Sequence, residues 1–333
     1  MSEKNFENKN YVLNVKNLKT YFYTKLGILK AVDDVSFKIR PGEIMGLVGE
    51  SGSGKSVTGF SILGLIDSPG EVVGGEIFFK NDNLLKYSSK NIRSLRGNKI
   101  AMIFQDPLMT LNPVLRIDTQ MLEAIYSHNK GISKKVATKI CIESLEKVGI
   151  PSAEQRMRSY PHEFSGGMRQ RVCIAIALLN KPELIIADEP TTALDVTIQS
   201  QILYQMQELV KSSNTAMVWI THDLAVVSGL ADSISVMYAG KIVEQGNLRD
   251  VIDKPGHPYT KGLISSIPSQ NKRGENIPQI PGLTPSLINR PFGCVFRTRC
   301  PNPCNNCKEG KIEMGLVEID KDHWVDQCCI NCI

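Results

Sequence analysis

The chain of 333 residues lacks three features that would each point to a broad class of protein. It has no run of about 20 apolar residues, the length needed to cross a bilayer. Its first ten residues, MSEKNFENKN, are polar and lack the apolar core of a secretory signal peptide. Its net charge is only +5, with 22% charged residues, which does not indicate a nucleic-acid-binding protein. We therefore expect a cytoplasmic chain that reaches a membrane only through a partner and does not bind nucleic acid.

A glycine-rich segment, GESGSGKS at 49–56, follows EIMGLV at 43–48, which is typical of a short buried strand, and precedes a helix-like stretch at 57–66. Strand, glycine-rich turn and helix form the setting that a phosphate-binding loop requires. Backbone N–H groups and the helix N-terminus would face phosphate oxygens, Lys55 would reach the β- and γ-phosphates, and Ser56 would bind Mg²⁺. The candidate ATP-binding residues of this loop are Gly49, Glu50, Ser51, Gly52, Ser53, Gly54, Lys55, Ser56 and Val57.

A second apolar stretch, at 184–187, ends in Asp188 and Glu189. Such a stretch is typical of a central parallel strand, and carboxylates at its C-terminal end lie at the ligand crevice of an open α/β sheet. Asp188 would hold Mg²⁺, and Glu189 would polarise the attacking water as a general base. An apolar stretch followed by two acids is usually structural when it stands alone, so its pairing with the phosphate loop is what indicates an ATPase.

Between these motifs stands FSGGMRQR at 164–171, and IFQDP at 103–107, TALD at 192–195 and ITHD at 220–223 complete an ordered set. The set resembles the ATP-binding subunits of ABC transporters. Each motif is weak alone, and their shared order carries the resemblance. It implies an α/β P-loop NTPase fold of the RecA-like type, with an N-terminal antiparallel β part and an inserted helical subdomain at about 106–165. Two such cassettes clamp ATP between them.

The resemblance implies catalytic roles for three residues. Glu189 is the general base, Gln105 contacts Mg²⁺ and senses the membrane partner, and His222 contacts the γ-phosphate. With Ser56 and Asp188, Gln105 would complete the Mg²⁺ site. A lone glutamine or histidine is more often a structural residue, so these assignments rest on the shared order of the motifs.

Other residues would contribute to nucleotide binding through the same resemblance. Ser165, Gly166 and Gly167 match the signature motif, which binds the γ-phosphate of ATP held on the opposite subunit. Its hydroxyl and glycine N–H groups at the start of a helix suit an anion. Asp195 belongs to the loop that contacts the other subunit. Phe22 is the aromatic residue expected to stack on adenine.

Longer stretches narrow the resemblance to the D-type ATPase of oligopeptide, dipeptide and nickel importers. They include ADEPTTALDVTIQSQIL at 187–203, VMYAGKIVEQG at 236–246, HPYTK at 257–261 and GCVFRTRCP at 293–301. This resemblance implies a nucleotide-binding domain over residues 1–255. Residues 256–333 would form the C-terminal extension of this branch, a name kept for them below.

The implied function is ATP hydrolysis that powers uptake of di- or oligopeptides, on the cytoplasmic face of the membrane. The implied partners are a homologous F-type ATPase, two transmembrane permease subunits and, indirectly, an extracytoplasmic substrate-binding protein. Nickel or another small solute is an alternative cargo, and pairing of the chain with itself is an alternative to the heterodimer. The HPYTK motif argues against a soluble ABC ATPase that takes no part in transport. A vestigial ATPase is opposed by the intact motifs.

Seven of the nine cysteines lie within residues 294–332, and structural disulfides are disfavoured in a cytosolic chain, so we expect a metal site. Spacing alone favours zinc, because CxxC pairs at 304–307 and 329–332 are separated by 21 residues. The resemblance favours a [4Fe–4S] cluster, with the fourth ligand open among Cys328, Cys329 and Cys332. Cys141 and Cys173 are expected to be apolar fillers. The implied cluster ligands are Cys294, Cys300, Cys307 and Cys328.

Overall fold

The computed structural model describes residues 10–191, 194–267, 278–311 and 315–330, with the side chains of 329 and 330 left aside. The chain forms two compact units. Unit 1 consists of Met1–Ile39, Ile44–Leu85 and Trp219–Ile333, and unit 2 consists of Arg40–Glu43 and Lys86–Val218. The phosphate loop and the C-terminal extension therefore belong to the same unit. The domain boundary at residue 255 stays a prediction.

The strands and helices are numbered in chain order. The strands are β1 Leu13–Thr24, β2 Gly27–Ile39, β3 Ile44–Val48, β4 Gly70–Phe79, β5 Asp82–Asn83, β6 Ile100–Ile103, β7 Leu184–Asp188, β8 Ala216–Thr221, β9 Ser233–Tyr238, β10 Lys241–Asn247, β11 Leu316–Asp320 and β12 His323–Asp326. The helices are α1 Lys55–Leu63, α2 Ser89–Leu95, α3 Pro107–Thr110, α4 Ile117–Tyr126, α5 Lys134–Lys147, α6 Ala153–Arg156, α7 Gly166–Leu178, α8 Val196–Ser213, α9 Leu224–Ser228, α10 Leu248–Asp253, α11 Pro258–Ser265, α12 Asn305–Glu309 and α13 Gln327–Ile330. None of the helices in the described ranges is both long and apolar enough to cross a membrane.

Unit 1 begins with an antiparallel sheet in the order β2-β1-β4-β5. Leu13 pairs with Ile39 on one side and with Phe79 on the other, and all three are buried. The apolar residues alternate along these strands, which places one face of the sheet against the core. The N-terminal antiparallel β part of the predicted fold is confirmed.

A second set of strands in unit 1 runs in the order β11-β12-β10-β9-β3. β3 and β9 are parallel, and every residue of β3 is buried. β9 and β10 form an antiparallel hairpin whose turn contains Ala239 and Gly240, both at positive φ. β12 then pairs with β10 through Glu244 and Val325. Strands of the C-terminal extension therefore continue the sheet that starts beside the phosphate loop.

Unit 2 contains the parallel pair β6 and β7 and a group of helices between them in sequence. The helix α5 shows why this segment is helical. Ser133 caps its N-terminus by accepting a hydrogen bond from Val136 N, and Gly149 follows its end at a φ of 73°. Ala137, Cys141 and Leu145 form the buried stripe of the helix. Helices α3 to α6 occupy the range predicted for the helical subdomain.

Candidate functional site

The phosphate loop in unit 1 connects β3 to α1, and its shape depends on glycine. Gly49 has a φ of 155° and Gly54 a φ of 105°. A Cβ atom at Gly49 would collide with the carbonyl oxygen of Met237, and one at Gly54 with that of Ala31. The chain approaches neighbouring backbone too closely at both positions for any other residue.

Lys55 lies at the centre of this loop and is 5% exposed. Its Nζ donates hydrogen bonds to the carbonyl oxygens of Gly49 at 2.8 Å and Glu50 at 2.9 Å, and it lies 3.5 Å from Ser53 Oγ. Ser56 and Val57 follow in the first turn of α1 and are half-buried. The loop thus presents one ammonium group and a helix N-terminus together, a combination that suits a phosphate chain.

In unit 2, Asp188 and Glu189 stand at the C-terminal end of β7. All five residues of the strand are buried, as the apolar stretch predicts. Glu189 follows in the left-handed region at a φ of 44° and is half-buried. Gln105, just after β6, donates a hydrogen bond from Nε2 to Glu189 Oε2 at 3.1 Å. The structure therefore brings together two of the three predicted catalytic residues.

The signature segment begins α7. Ser165 caps the helix by accepting a hydrogen bond from Met168 N at 3.3 Å, and both Ser165 and Gly166 are exposed. A Cβ at Gly166 would meet no atom within 4 Å, so this helix N-terminus is open. It borders a cleft of about 250 Å³ lined by Gln105, Asp106, Pro107, Leu108, Gly166, Arg169, Gln170, Pro190 and Leu194.

Three other predicted residues have different surroundings. Asp195 caps α8 through a hydrogen bond from Ile198 N at 3.0 Å. His222 is exposed just after β8. Phe22 is half-buried in β1, and a Cβ at Gly70 would meet its ring at 2.5 Å. The roles of these residues in nucleotide binding stay predictions.

Glu50, inside the phosphate loop, makes a set of contacts that the motif did not predict. Arg299 of the extension donates to both carboxylate oxygens, from Nη1 to Oε2 at 2.7 Å and from Nη2 to Oε1 at 3.0 Å. Thr284 Oγ1 donates to Oε2 at 2.6 Å, and Tyr259 OH accepts from Glu50 N at 2.8 Å. Tyr259 and Arg299 belong to the motifs HPYTK and GCVFRTRCP, but neither motif indicates that its residue contacts Glu50.

Partial burial works against ionisation of Glu50, because it removes the carboxylate from water. The hydrogen bonds from Arg299 and Thr284 and the charge of Arg299 outweigh burial and hold the pKa of Glu50 below its ordinary value. The carboxylate is therefore charged beside the loop that would receive a triphosphate.

Three of the four predicted cluster ligands lie close together in unit 1. The sulfur atoms of Cys294 and Cys328 are 3.2 Å apart, and Cys307 is buried beside both thiols. Burial, followed by the charge of Cys294, raises the pKa of Cys307 to about 11. Cys300 is half-buried, and burial also raises its pKa. Thiols crowded in this way resist losing their protons unless a cation compensates the charge.

His257 is a neighbour of this cysteine site that spacing did not reveal. One of its ring nitrogens lies within 4.8 Å of the sulfur atoms of Cys294 and Cys328. Nδ1 accepts a hydrogen bond from Tyr259 N at 3.0 Å, so the ring proton is on Nε2. Nε2 is buried and has no hydrogen-bond partner among the described residues.

The remaining five cysteines have three different outcomes. Cys304 is disulfide-bonded, so the expectation of no disulfide is wrong at this position. The side chains of Cys329 and Cys332 lie outside the described residues. Cys141 and Cys173 are buried in helices α5 and α7, and burial raises the pKa of each thiol to about 12. Such thiols are unreactive fillers, as the sequence predicts.

Comparison with known proteins adds an independent line of support. A family model described as "ABC transporter" matches residues 32–192, and one described as "Oligopeptide/dipeptide transporter, C-terminal region" matches residues 243–307. The chain is 48% identical over 296 residues to an oligopeptide transport ATP-binding protein, OppD, of Escherichia coli, which covers 89% of this chain and 87% of that protein. It is 49% identical over 288 residues to a dipeptide transport ATP-binding protein, DppD, of Lactococcus lactis, with coverage of 86% and 82%.

Solved structures give the same result for the fold. A dimeric ATP-binding cassette in a post-hydrolysis state, bound to ADP and Pi, matches with a TM-score of 0.65 and 27% identity. The match covers 71% of this chain and 99% of that cassette. The predicted α/β cassette fold is thereby confirmed.

Proposed function

This chain belongs to the family of ABC transporter ATP-binding proteins that contains the oligopeptide and dipeptide transport subunits, and we propose that it hydrolyses ATP to power uptake of di- or oligopeptides through a membrane permease. One observation carries the proposal. The phosphate loop has Lys55 at its centre, and the same compact unit holds an extension of the oligopeptide-transporter type. Nickel or another small solute is the alternative cargo.

In the proposed reaction, water attacks the γ-phosphorus of ATP, and ADP and phosphate are released. Lys55 holds the β- and γ-phosphates, and Ser56, Asp188 and Gln105 hold Mg²⁺, which neutralises charge on the phosphate oxygens. Glu189 takes the proton of the attacking water. The hydrogen bond from Gln105 Nε2 supports this role, because it fixes the direction of the Glu189 carboxylate.

His222, Phe22 and Asp195 complete the proposed site. His222 stabilises the γ-phosphate in the transition state, Phe22 stacks on adenine, and Asp195 belongs to the loop that meets the other cassette. The segment Ser165–Gly167 binds ATP held by that cassette, and its open helix N-terminus supports this role. We propose a homologous F-type ATPase as the second cassette.

A pair of permease subunits is the proposed membrane partner, which would hold the chain at the cytoplasmic face and receive peptide from an extracytoplasmic binding protein. The segment after Gln105 supports a partner surface. Leu108 is 59% exposed, Met109 87% and Val114 75%. Apolar side chains gathered in this way mark a protein-binding surface rather than a water-facing one.

For the extension we propose a [4Fe–4S] cluster held by Cys294, Cys300, Cys307 and Cys328, which would cross-link its segments through four thiolates. The proximity of the thiols supports this set. Zinc on the two CxxC pairs is the alternative, but it requires Cys304, whose sulfur is engaged in a disulfide. Anaerobic purification followed by iron, sulfide and zinc analysis distinguishes them. About four irons per chain supports the cluster, and one zinc overturns it.

The ATPase proposal is tested with two variants of the assembled transporter. Lys55→Ala is expected to lose ATP binding, whereas Glu189→Gln is expected to retain ATP binding and to lose hydrolysis and peptide uptake. Undiminished turnover by Glu189→Gln would reject the proposed general base. Full ATP affinity in Lys55→Ala would reject the proposed nucleotide site.

A further inference from the structure

Glu50 connects the C-terminal extension to the lysine of the phosphate loop. Its N–H donates to Tyr259 OH, while its carbonyl oxygen accepts from Lys55 Nζ. Its carboxylate accepts from Arg299 and Thr284. Backbone and side chain of a single loop residue are thus held by the extension, and the same residue contacts the group that would bind phosphate.

Hydrogen bonds and ring contacts within the protein hold the guanidinium of Arg299 in place. Nε donates to Pro281 O at 2.8 Å, and Nη2 also lies 3.4 Å from Ile280 O. The group stands over the ring of Tyr238 at 5.7 Å and that of Phe296 at 6.0 Å. Its side chain is 5% exposed, and Glu50 is 29% exposed. A bidentate arginine–carboxylate pair with a buried guanidinium has a defined geometry that surface pairs lack.

The negative charge of Glu50 is unfavourable for phosphate binding at this position. A carboxylate in a loop that receives a polyanionic ligand repels that ligand unless a cation compensates for it. Lys55 is engaged with the loop backbone, where it would contact phosphate. Arg299 is the cation that contacts the carboxylate directly, with both Nη atoms.

We propose that Arg299 is a positioning residue of the nucleotide site, which acts through Glu50. It neutralises the Glu50 carboxylate and holds the turn at Gly49 and Glu50, so that Lys55 meets the phosphates in a loop of fixed shape. This inference rests on the proposed function of the loop as an ATP site. It makes the extension a part of that site, although none of its residues needs to touch the nucleotide.

The test compares Arg299→Gln, Glu50→Gln and the double variant, with MgATP affinity measured on the full chain and kcat and KM on the assembled transporter. Arg299→Gln should weaken MgATP affinity about tenfold, near the low end of what a hydrogen bond to a charged group contributes. KM should rise accordingly, with kcat changed much less. Glu50→Gln should lose much less MgATP affinity than Arg299→Gln, because the amide carries no charge that repels phosphate, and the double variant should recover most of the loss.

The direction of the change in MgATP affinity in each variant distinguishes an effect of the Glu50 charge from a purely structural role. Equal losses in Arg299→Gln and Glu50→Gln, with no recovery in the double variant, would overturn the proposal, as would wild-type affinity in Arg299→Gln. Arg299→Lys should restore part of the affinity. A wild-type chain that fails to bind MgATP would instead reject the proposed function itself.

Arg290→Gln is the matched control for stability. Arg290 is also an arginine of the extension, with a side chain that is 9% exposed, and it pairs with Asp33 at 2.6 Å instead of a loop carboxylate. Arg290→Gln should lower the melting temperature to a similar extent as Arg299→Gln. Adding Glu50→Gln to Arg290→Gln should not raise the MgATP affinity. If Arg299→Gln does not fold, Thr284→Val keeps the arginine and its pair with Glu50, and removes the Thr284 hydrogen bond to Glu50 together with a longer one from Arg299 Nη1 at 3.4 Å. A smaller loss of affinity in the same direction is then expected, and unchanged affinity would count against the proposal.

Discussion

Replacing Glu244 with alanine is expected to destabilise the C-terminal extension by about 3–5 kcal/mol, the range for removing one partner of a buried ionic network. Glu244 lies in β10 and is fully buried. Its Oε1 accepts from Gly256 N at 2.7 Å and lies 2.8 Å from His323 Nε2, and its Oε2 accepts from His257 N at 2.9 Å. A single side chain thus joins the start of α11 and the hairpin β11–β12 to the sheet.

The magnitude follows from the groups that the substitution leaves behind. Two backbone N–H groups would lose their acceptor in the interior, at about 1–3 kcal/mol each. The imidazole of His323 would lose its partner, and the missing side-chain atoms would leave a cavity. Because these losses share one cavity that water can enter, they do not add fully. Glu244→Gln should lower the free energy of unfolding by less than Glu244→Ala, because the amide keeps one acceptor oxygen. It should still be destabilising, because its NH₂ group would face another donor.

The two tryptophans allow the extension and the cassette to be followed separately. Trp324 lies in β12, next to His323, and Trp219 is fully buried in β8. With Trp219 replaced by phenylalanine, denaturant unfolding followed by Trp324 fluorescence should shift to lower denaturant in Glu244→Ala. Glu318→Gln is the control, because Glu318 is an exposed acceptor on the neighbouring strand β11. An unchanged midpoint in Glu244→Ala would refute the reasoning.

Two further predictions concern the cysteine site and Glu50. Cys307→Ser should lower the metal content of the purified chain. Cys141→Ser, at a buried position of α5, is the control and should lower only the melting temperature. Equal metal loss in both variants would contradict the ligand assignment. In the wild type, the pKa of Glu50 is held down, so its favourable pairing persists above the ordinary value of about 4.3 and is lost only as the pH falls through the lowered pKa. In Arg299→Gln, the pKa of Glu50 should be higher than in the wild type, because burial remains while the hydrogen bonds and charge of Arg299 are lost, so the MgATP affinity defect relative to wild type should shrink as the pH is lowered. A defect that is constant with pH would contradict a charge effect.

The local parts of the fold could be predicted because the cause lies within a few residues. The turn at Gly49 and Gly54 requires glycine, the apolar stretch before Asp188 requires burial on both faces, and Ser133 and Gly149 mark the ends of a helix. Contacts between distant residues could not be predicted in this way. Nothing in the GESGSGKS motif shows that Glu50 pairs with a residue 249 positions away.

The cysteine site shows the same limit. Spacing alone favoured two CxxC pairs, because adjacent cysteines in sequence are adjacent in space on a short turn. The fold instead brings Cys294 beside Cys328, 34 positions later, by adding β12 to β10. The buried His257 ring beside these sulfur atoms also depends on this pairing of strands. The family resemblance placed Cys294 and Cys328 in one predicted ligand set because it carries information about the whole fold.

The two motifs that set this branch apart acquire one physical explanation from the structure. HPYTK supplies Tyr259, which holds the backbone of Glu50, and GCVFRTRCP supplies Arg299, which holds its carboxylate. Their rings and guanidinium meet in one cluster, where Tyr259 and Phe296 lie 5.5 Å apart. Cys294 and Cys300 flank Phe296 and Arg299 in sequence, so any group that fixes these cysteines also fixes the arginine. A metal bound by these cysteines, as proposed above, would therefore act on the phosphate loop through the rigidity of a seven-residue turn.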